Sequence, residues 1–192
     1  MKIFRKIVAF AIAVCILSGN MVFSQPAYQN AFDENVIAKL SALGIWLEDN
    51  ELDAMVTKAE FTEFVARMLV MGGQQTILGE QSFDDVSLEH PFYTSIETLY
   101  KMGIISREED KKFSPDRPIT YAESAKMLVS ALGYAPYAEA NGGYPAGYLI
   151  VGRQYKIIPR DDNKTLNSVI TFADAANMLS YAIEAELLER TA

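Results

Sequence analysis

The sequence predicts an all-α fold made of three helix-loop-helix repeats. Three observations predict it. A short phrase recurs as Val56-Thr57-Lys58-Ala59-Glu60-Phe61, Ile119-Thr120-Tyr121-Ala122-Glu123-Ser124 and Ile170-Thr171-Phe172-Ala173-Asp174-Ala175. Behind each copy, apolar residues fall at helical spacing. Ahead of each copy, a first helix ends at a similar stop: Gly44-Ile45, Gly103-Ile104 or Lys156-Ile157. A unit repeated in this way does not bury its apolar face alone and needs its neighbours.

The elements follow in order. In the first repeat, Val36, Ile37, Leu40 and Leu43 form one helical face, and Gly44 stands at the C-terminal cap position. Ile45 and Trp46 follow, then an acidic irregular stretch from Leu47 to Met55. The second helix carries Phe61, Phe64, Val65, Met68 and Leu69 and stops at Gly72-Gly73. The second repeat opens with Phe83-Asp84-Asp85-Val86 and places Pro91 in a first helical turn, where the missing N–H costs nothing. Ile96, Leu99 and Met102 continue that helix. Phe113-Ser114-Pro115-Asp116-Arg117-Pro118 is a turn, because two prolines exclude helix interior. Ala122, Ala125, Met127, Leu128 and Leu132 then run as a helix to Gly133. The third repeat opens with Gly142-Gly143-Tyr144-Pro145-Ala146-Gly147-Tyr148. Leu149, Ile150, Val151 and Tyr155 make a short helix, and Ala175, Met178, Leu179, Ala182 and Ile183 make the last one.

The recurring phrase has a physical meaning. Thr-x-x-Glu is a capping box: the threonine oxygen accepts from the third helical N–H, and the acid reaches back to the threonine N–H. Thr57 with Glu60 and Thr120 with Glu123 fit the pattern, and Thr171 with Asp174 is a shorter, weaker version.

The N-terminus reads as a secretory signal over residues 1–24. Lys2, Arg5 and Lys6 precede an apolar run from Ile7 to Leu17, and Ser24 stands before a plausible cut at Gln25. The run is shorter than the ~20 residues of a spanning helix, so no membrane span is expected after removal. The one cysteine, Cys15, lies inside this segment, which leaves no disulfide framework. Export without disulfides fits a Gram-positive cell envelope. The chain has a formal net charge of −8. Removing a basic leader makes the remainder more acidic, which argues against nucleic acid as a partner. The expected organisation is a signal at 1–24 and repeats at 25–80, 81–140 and 141–192.

Phe83-Asp84-Asp85-Val86, Gly103-Ile104-Ile105, Phe113-Ser114-Pro115-Asp116 and Ile119-Thr120-Tyr121-Ala122-Glu123, in that order, resemble a bacterial S-layer homology repeat. The first and third repeats resemble more degenerate copies, and Gly142 to Tyr148 resembles the linker that opens a third repeat. The resemblance implies a pseudo-threefold spindle with one prong per repeat. It also implies a non-catalytic, exported module at the cell wall or surface. Such modules hold secondary cell-wall polysaccharide, often by a pyruvylated terminal sugar, or associate with the surface layer. In the family an arginine stands between the Thr and Ala of the phrase, where a guanidinium can grip a carboxylate with two hydrogen bonds. Here those positions hold Lys58, Tyr121 and Phe172, and Arg107 to Lys112 replaces a glycine-rich loop. The glycan-binding candidates are therefore Lys58 for charge, Trp46 beside it, and Tyr121 for stacking. Trp46 reads equally well as a packing residue.

Other constellations carry little. His90 is the only histidine and precedes Pro91, so no metal pair or nucleophile–base pair forms around it. Asp84 and Asp85 read as turn and cap residues. Asp161, Asn163 and Thr165 resemble the start of a calcium loop. However, Leu166 and Phe172 occupy the glycine and glutamate positions, so an ordinary polar loop is the better reading. Tyr134, Tyr137, Tyr144 and Tyr148 form either a sugar-stacking surface or, preferably, a cover over the core. No cofactor and no metal is expected. The leading function is wall or surface-layer association. The alternative is a protein-interaction scaffold that has lost glycan binding, and a divergent carbohydrate-active enzyme comes third.

Overall fold

The computed structural model describes residues 34–46, 50–70, 81–107, 110–160 and 164–188. The signal segment, the Gly72-Gly73 stop and residues 161–163 of the polar loop lie outside the described residues. Those described form seven helices and no strand beyond three isolated bridges. The helices are α1 (Glu34–Ala42), α2 (Lys58–Val70), α3 (Tyr93–Lys101), α4 (Tyr121–Ala131), α5 (Ala135–Ala140), α6 (Ala146–Gln154) and α7 (Phe172–Glu184). The fold is all-α. Helix α5 occupies the stretch between Gly133 and Gly142, to which the sequence reading assigns no element. Pro136 sits in its first turn, where it is pre-organised for a helix, and only six residues follow the helical path.

The three copies of the phrase meet in one hub. Val56 N–H donates to Ile170 O at 3.0 Å, Ile170 N–H to Ile119 O at 3.1 Å, and Ile119 N–H to Val56 O at 2.9 Å, which closes a ring. The next layer repeats the relation. Lys58 N–H donates to Arg117 O, Tyr121 N–H to Ser168 O, and Phe172 N–H to Ala54 O. A third layer runs from Ala59 to Pro115, from Ala122 to Leu166 and from Ala173 to Leu52. Each of α2, α4 and α7 therefore starts on the loop that enters another copy.

The capping threonines complete the accounting of orphan helix donors. Thr120 Oγ1 accepts from Glu123 N–H at 3.3 Å, and Glu123 Oε2 accepts from Thr120 N–H at 3.0 Å. Thr57 with Glu60 and Thr171 with Asp174 form the same pair of bonds. With the first two helical N–H groups bonded to loop carbonyls, all four N-terminal donors of each helix have partners.

The first helix of each repeat ends alike. Ile45 N–H donates to Leu40 O, Ile104 N–H to Leu99 O, and Ile157 N–H to Gly152 O, the six-residue closure of a Schellman stop. The residue before each isoleucine is left-handed: Gly44 at φ 70°, Gly103 at 73° and Lys156 at 56°. Helix pairing differs from one prong per repeat. Helix α2 packs on α3, α4 on α6, and α7 on α1, so each pair joins the second helix of one repeat to the first helix of the next. The reason lies in the hub, which holds each capped helix against a neighbouring repeat's loop. Lys39 and Glu184, 2.7 Å apart, cross the α1–α7 contact. Phe64, Leu128 and Leu179 are fully buried along the capped helices.

Candidate functional site

The residues between the Thr and Ala of the phrase stand at the first helical position of α2, α4 and α7, and all three are buried. Their surroundings differ. Phe172 lies edge-on to Trp46, ring centroids 6.0 Å apart, and Trp46 stacks on Phe64 at 4.9 Å with the planes 2° from parallel. Trp46 is only 7% exposed. Phe64 covers one face of the Trp46 ring and Phe172 packs beside it, which fits the packing role that the sequence equally allowed. Tyr121 is 2% exposed, and its hydroxyl donates to Pro159 O at 3.1 Å. With its ring buried and its hydroxyl bonded, Tyr121 packs against the stop of the third repeat and presents little open ring surface.

At the remaining position a pocket opens. Lys58 lines it with Ile104, Ile105, Ser106, Glu123, Lys126, Met127 and Tyr144, around a volume of about 180 Å³. The Lys58 ammonium lies over the Phe113 ring, 4.5 Å from its centre, in a cation–π contact. Lys126 donates to Ser106 Oγ at 3.3 Å and stands 5.3 Å over the Tyr144 ring. Ile104, Ile105 and Ser106 follow the second Schellman stop. They match Ile157, Ile158 and Pro159 in the third repeat, where the tyrosine closes the space.

Glu123 brings a negative charge to the wall, but its oxygens are engaged. Arg117 Nη2 donates to Oε1 at 2.6 Å and Arg117 Nη1 to Oε2 at 3.1 Å, beside the two Thr120 bonds. Burial pushes this carboxyl up; the bonds from Arg117 and Thr120 together outweigh it and hold it down at about 2. Burial and the Glu123 charge push the Tyr144 phenol up, which keeps its hydroxyl protonated. The pocket is lined by Lys58 and Lys126 together with the paired Glu123 carboxylate. Its volume is below the ~300 Å³ of a drug-sized ligand site, so it suits a terminal group.

Sequence reading passed over Lys126 and placed Tyr144 in a linker. The signal for Lys126 was present: it is the one basic residue of α4, a turn beyond Glu123. Nothing local places Tyr144 there. Of the linker tyrosines, Tyr134 and Tyr148 are buried and Tyr137 and Tyr144 are exposed. Asp85 is a cross-loop cap: its carboxylate accepts from Phe113 N–H at 2.8 Å and Ser114 N–H at 2.7 Å. His90 Nδ1 accepts from Phe92 N–H within its own turn.

Comparison with known proteins places a family match on one part of this hub. The S-layer homology domain matches residues 82–125, from the loop before α3 through the capped start of α4. Residues 82–125 are thus similar to one S-layer homology domain. Of the pocket residues, Ile104, Ile105, Ser106 and Glu123 fall within that match, and Lys58, Lys126, Met127 and Tyr144 fall outside it. Similar proteins include the middle cell wall protein of Brevibacillus brevis, 27% identical over 82% of this chain and 15% of that protein. The surface layer protein of Brevibacillus choshinensis is 26% identical over 98% of this chain and 18% of that protein. The cell surface protein of Thermoanaerobacter kivui is 27% identical over 81% of this chain and 20% of that protein. The chain thus spans about a fifth or less of each of these relatives. No described helix is long and apolar enough to cross a membrane.

Proposed function

We propose that this chain is a non-catalytic cell-surface module that holds anionic secondary cell-wall polysaccharide through the Lys58 pocket. In this reading, residues 25–80, 81–140 and 141–192 are three S-layer homology repeats that follow an export signal at 1–24. The observation that carries it is the pocket itself. At the family's binding position two ammonium groups, Lys58 and Lys126, flank a small opening whose one carboxylate is held by Arg117. A terminal sugar bearing a carboxylate, as a pyruvyl group does, matches that charge and size. The names of the relatives, all wall or surface proteins, agree with such a placement. The hub capping residues Thr57, Glu60, Thr120, Glu123, Thr171 and Asp174 build the scaffold and make no ligand contact in this proposal.

The test is sedimentation with wall fragments, native and stripped of polysaccharide. Wild type should sediment with native walls only. Lys58→Ala should weaken binding about tenfold or more, the loss of one charge-assisted contact. Lys58→Arg should retain binding, because the guanidinium keeps the charge and adds a fork. Equal binding to stripped walls would transfer the function to a protein partner. That second reading draws on the closed second and third positions, where Tyr121–Pro159 and Trp46–Phe172 leave no equivalent opening.

A further inference from the structure

A second cleft lies along α6, and it shares no residue with the Lys58 pocket. It is open, with a volume of about 1020 Å³, and its walls include Ile150, Arg153, Lys156 and Arg160, with Tyr181 of α7 opposite. Folding alone leaves several of its features unexplained. Ile150 is 50% exposed and Tyr181 41%, so an aliphatic and an aromatic side chain of the same cleft both stand in water. The Arg153 Nε–H is buried and has no hydrogen-bond partner among the described residues. A buried donor without an acceptor is unfavourable, and such groups in folded proteins call for an explanation. Three cations gather here in a chain of net charge −8, and none forms an ion pair with a described carboxylate. The helix dipole favours a cation in the last turn of α6, which accounts for Arg153. It accounts neither for Arg160 nor for the stranded Nε–H. Lys156, moreover, holds a left-handed φ of 56° where the other two stops have glycine, so the side chain is kept against a backbone cost.

We propose that this cleft binds an extended polyanion of the phosphodiester-linked polyol class, a wall polymer distinct from the terminal sugar assigned to the Lys58 pocket. Arg153, Lys156 and Arg160 each bring a single charge to the cleft wall. They match a chain that carries one negative charge per unit better than a single multiply charged group. The Arg153 guanidinium presents a planar donor set that fits the paired oxygens of a phosphodiester. Ile150 and Tyr181 face the carbon segments between charges. The large open volume suits a chain passing through, whereas the Lys58 pocket admits only an end.

The experiment uses the full chain and titration calorimetry at low and moderate salt. The probes are poly(glycerol phosphate) of defined length, inorganic phosphate and polyglutamate. The variants are Lys156→Gly, which suits the left-handed backbone and deletes the charge, Arg160→Gln on the exposed surface, and the two combined. Wild type should bind poly(glycerol phosphate) much more tightly than inorganic phosphate. The double variant should lose at least about tenfold, as expected for two lost charged contacts. Lys58→Ala should leave this binding unchanged, which separates the outcome from that of the pocket. The proposal is overturned if wild type does not bind the polymer, if the double variant binds it equally well, or if inorganic phosphate binds as tightly. Equal, variant-sensitive binding of polyglutamate would also overturn it, in favour of an acidic protein partner. Should the double variant fail to fold by circular dichroism, Arg160→Gln alone decides the matter.

Discussion

Lys58, Tyr121 and Phe172 show how three identical positions acquire three fates. Each sits at a first helical position with its N–H bonded to a loop carbonyl, yet one lines a pocket, one donates to Pro159 O and one packs against Trp46. The capping residues, in contrast, play one role three times. Thr120→Ala should lower stability by about 1 kcal/mol, read as a reduced thermal midpoint, because the Glu123 N–H loses its acceptor. Glu123 itself adds a pH dependence. Its folded pKa of about 2 lies below the ordinary 4.5, so its contribution is fully present above that ordinary value and is lost as the pH falls through 2. The amount is about 2 kcal/mol after allowing for the partly exposed Arg117. Acid titration of stability should therefore be shallower between pH 4.5 and 2 in Glu123→Gln than in wild type. Parallel curves would show that the Arg117–Glu123 pair contributes nothing.

At the scale of elements, glycines separate two kinds of constraint. Gly103 has a φ of 73° and open space where a Cβ would stand, so Gly103→Ala should cost about 1 kcal/mol from backbone strain alone. Gly147 has an ordinary φ, but a Cβ there would lie 2.1 Å from Ala138 O, where α5 and α6 touch. Gly147→Ala must push those helices apart and should cost about 2 kcal/mol or more. Urea unfolding of the two variants distinguishes the cases: Gly103→Ala keeps the wild-type packing, whereas Gly147→Ala also loosens the α5–α6 contact, seen as faster amide exchange there. Helix α5 connects α4 to α6, and all three helices pack together.

For the molecule as a whole, the hub makes the repeats interdependent. Each backbone ring needs all three phrases, and α7 returns to pack on α1. Deleting residues 164–192 removes a third of every ring. The shortened chain should lose its cooperative thermal transition altogether, whereas independent repeats would keep a smaller one. Trp46, the only tryptophan, is a reporter of that closure because it stacks on Phe64 and meets Phe172 of α7. Its fluorescence should change together with helical circular dichroism in a single transition, and two separated transitions would contradict a shared hub.

What the sequence determined by itself is local and periodic. The Thr-x-x-acid phrase specified helix starts, because capping needs only residues three apart. The Gly-Ile and Lys-Ile stops specified helix ends, because a left-handed residue closes the last turn. Apolar spacing specified an all-α class and most of the buried faces. Tertiary structure decided which helices pair. Ring hydrogen bonds run between residues more than forty positions apart, and nothing in a local window signals that α2 belongs with α3 and α7 with α1. It also decided the fate of each site residue. Trp46 and Tyr121 carry the residue types of a sugar platform, but burial leaves little of either ring open. Lys126 and Tyr144 join Lys58 only because the hub places α2 beside the start of α4 and the segment before α6. Whether a side chain faces a ligand or a neighbour depends on what lies across the groove, and that is set by distant parts of the chain.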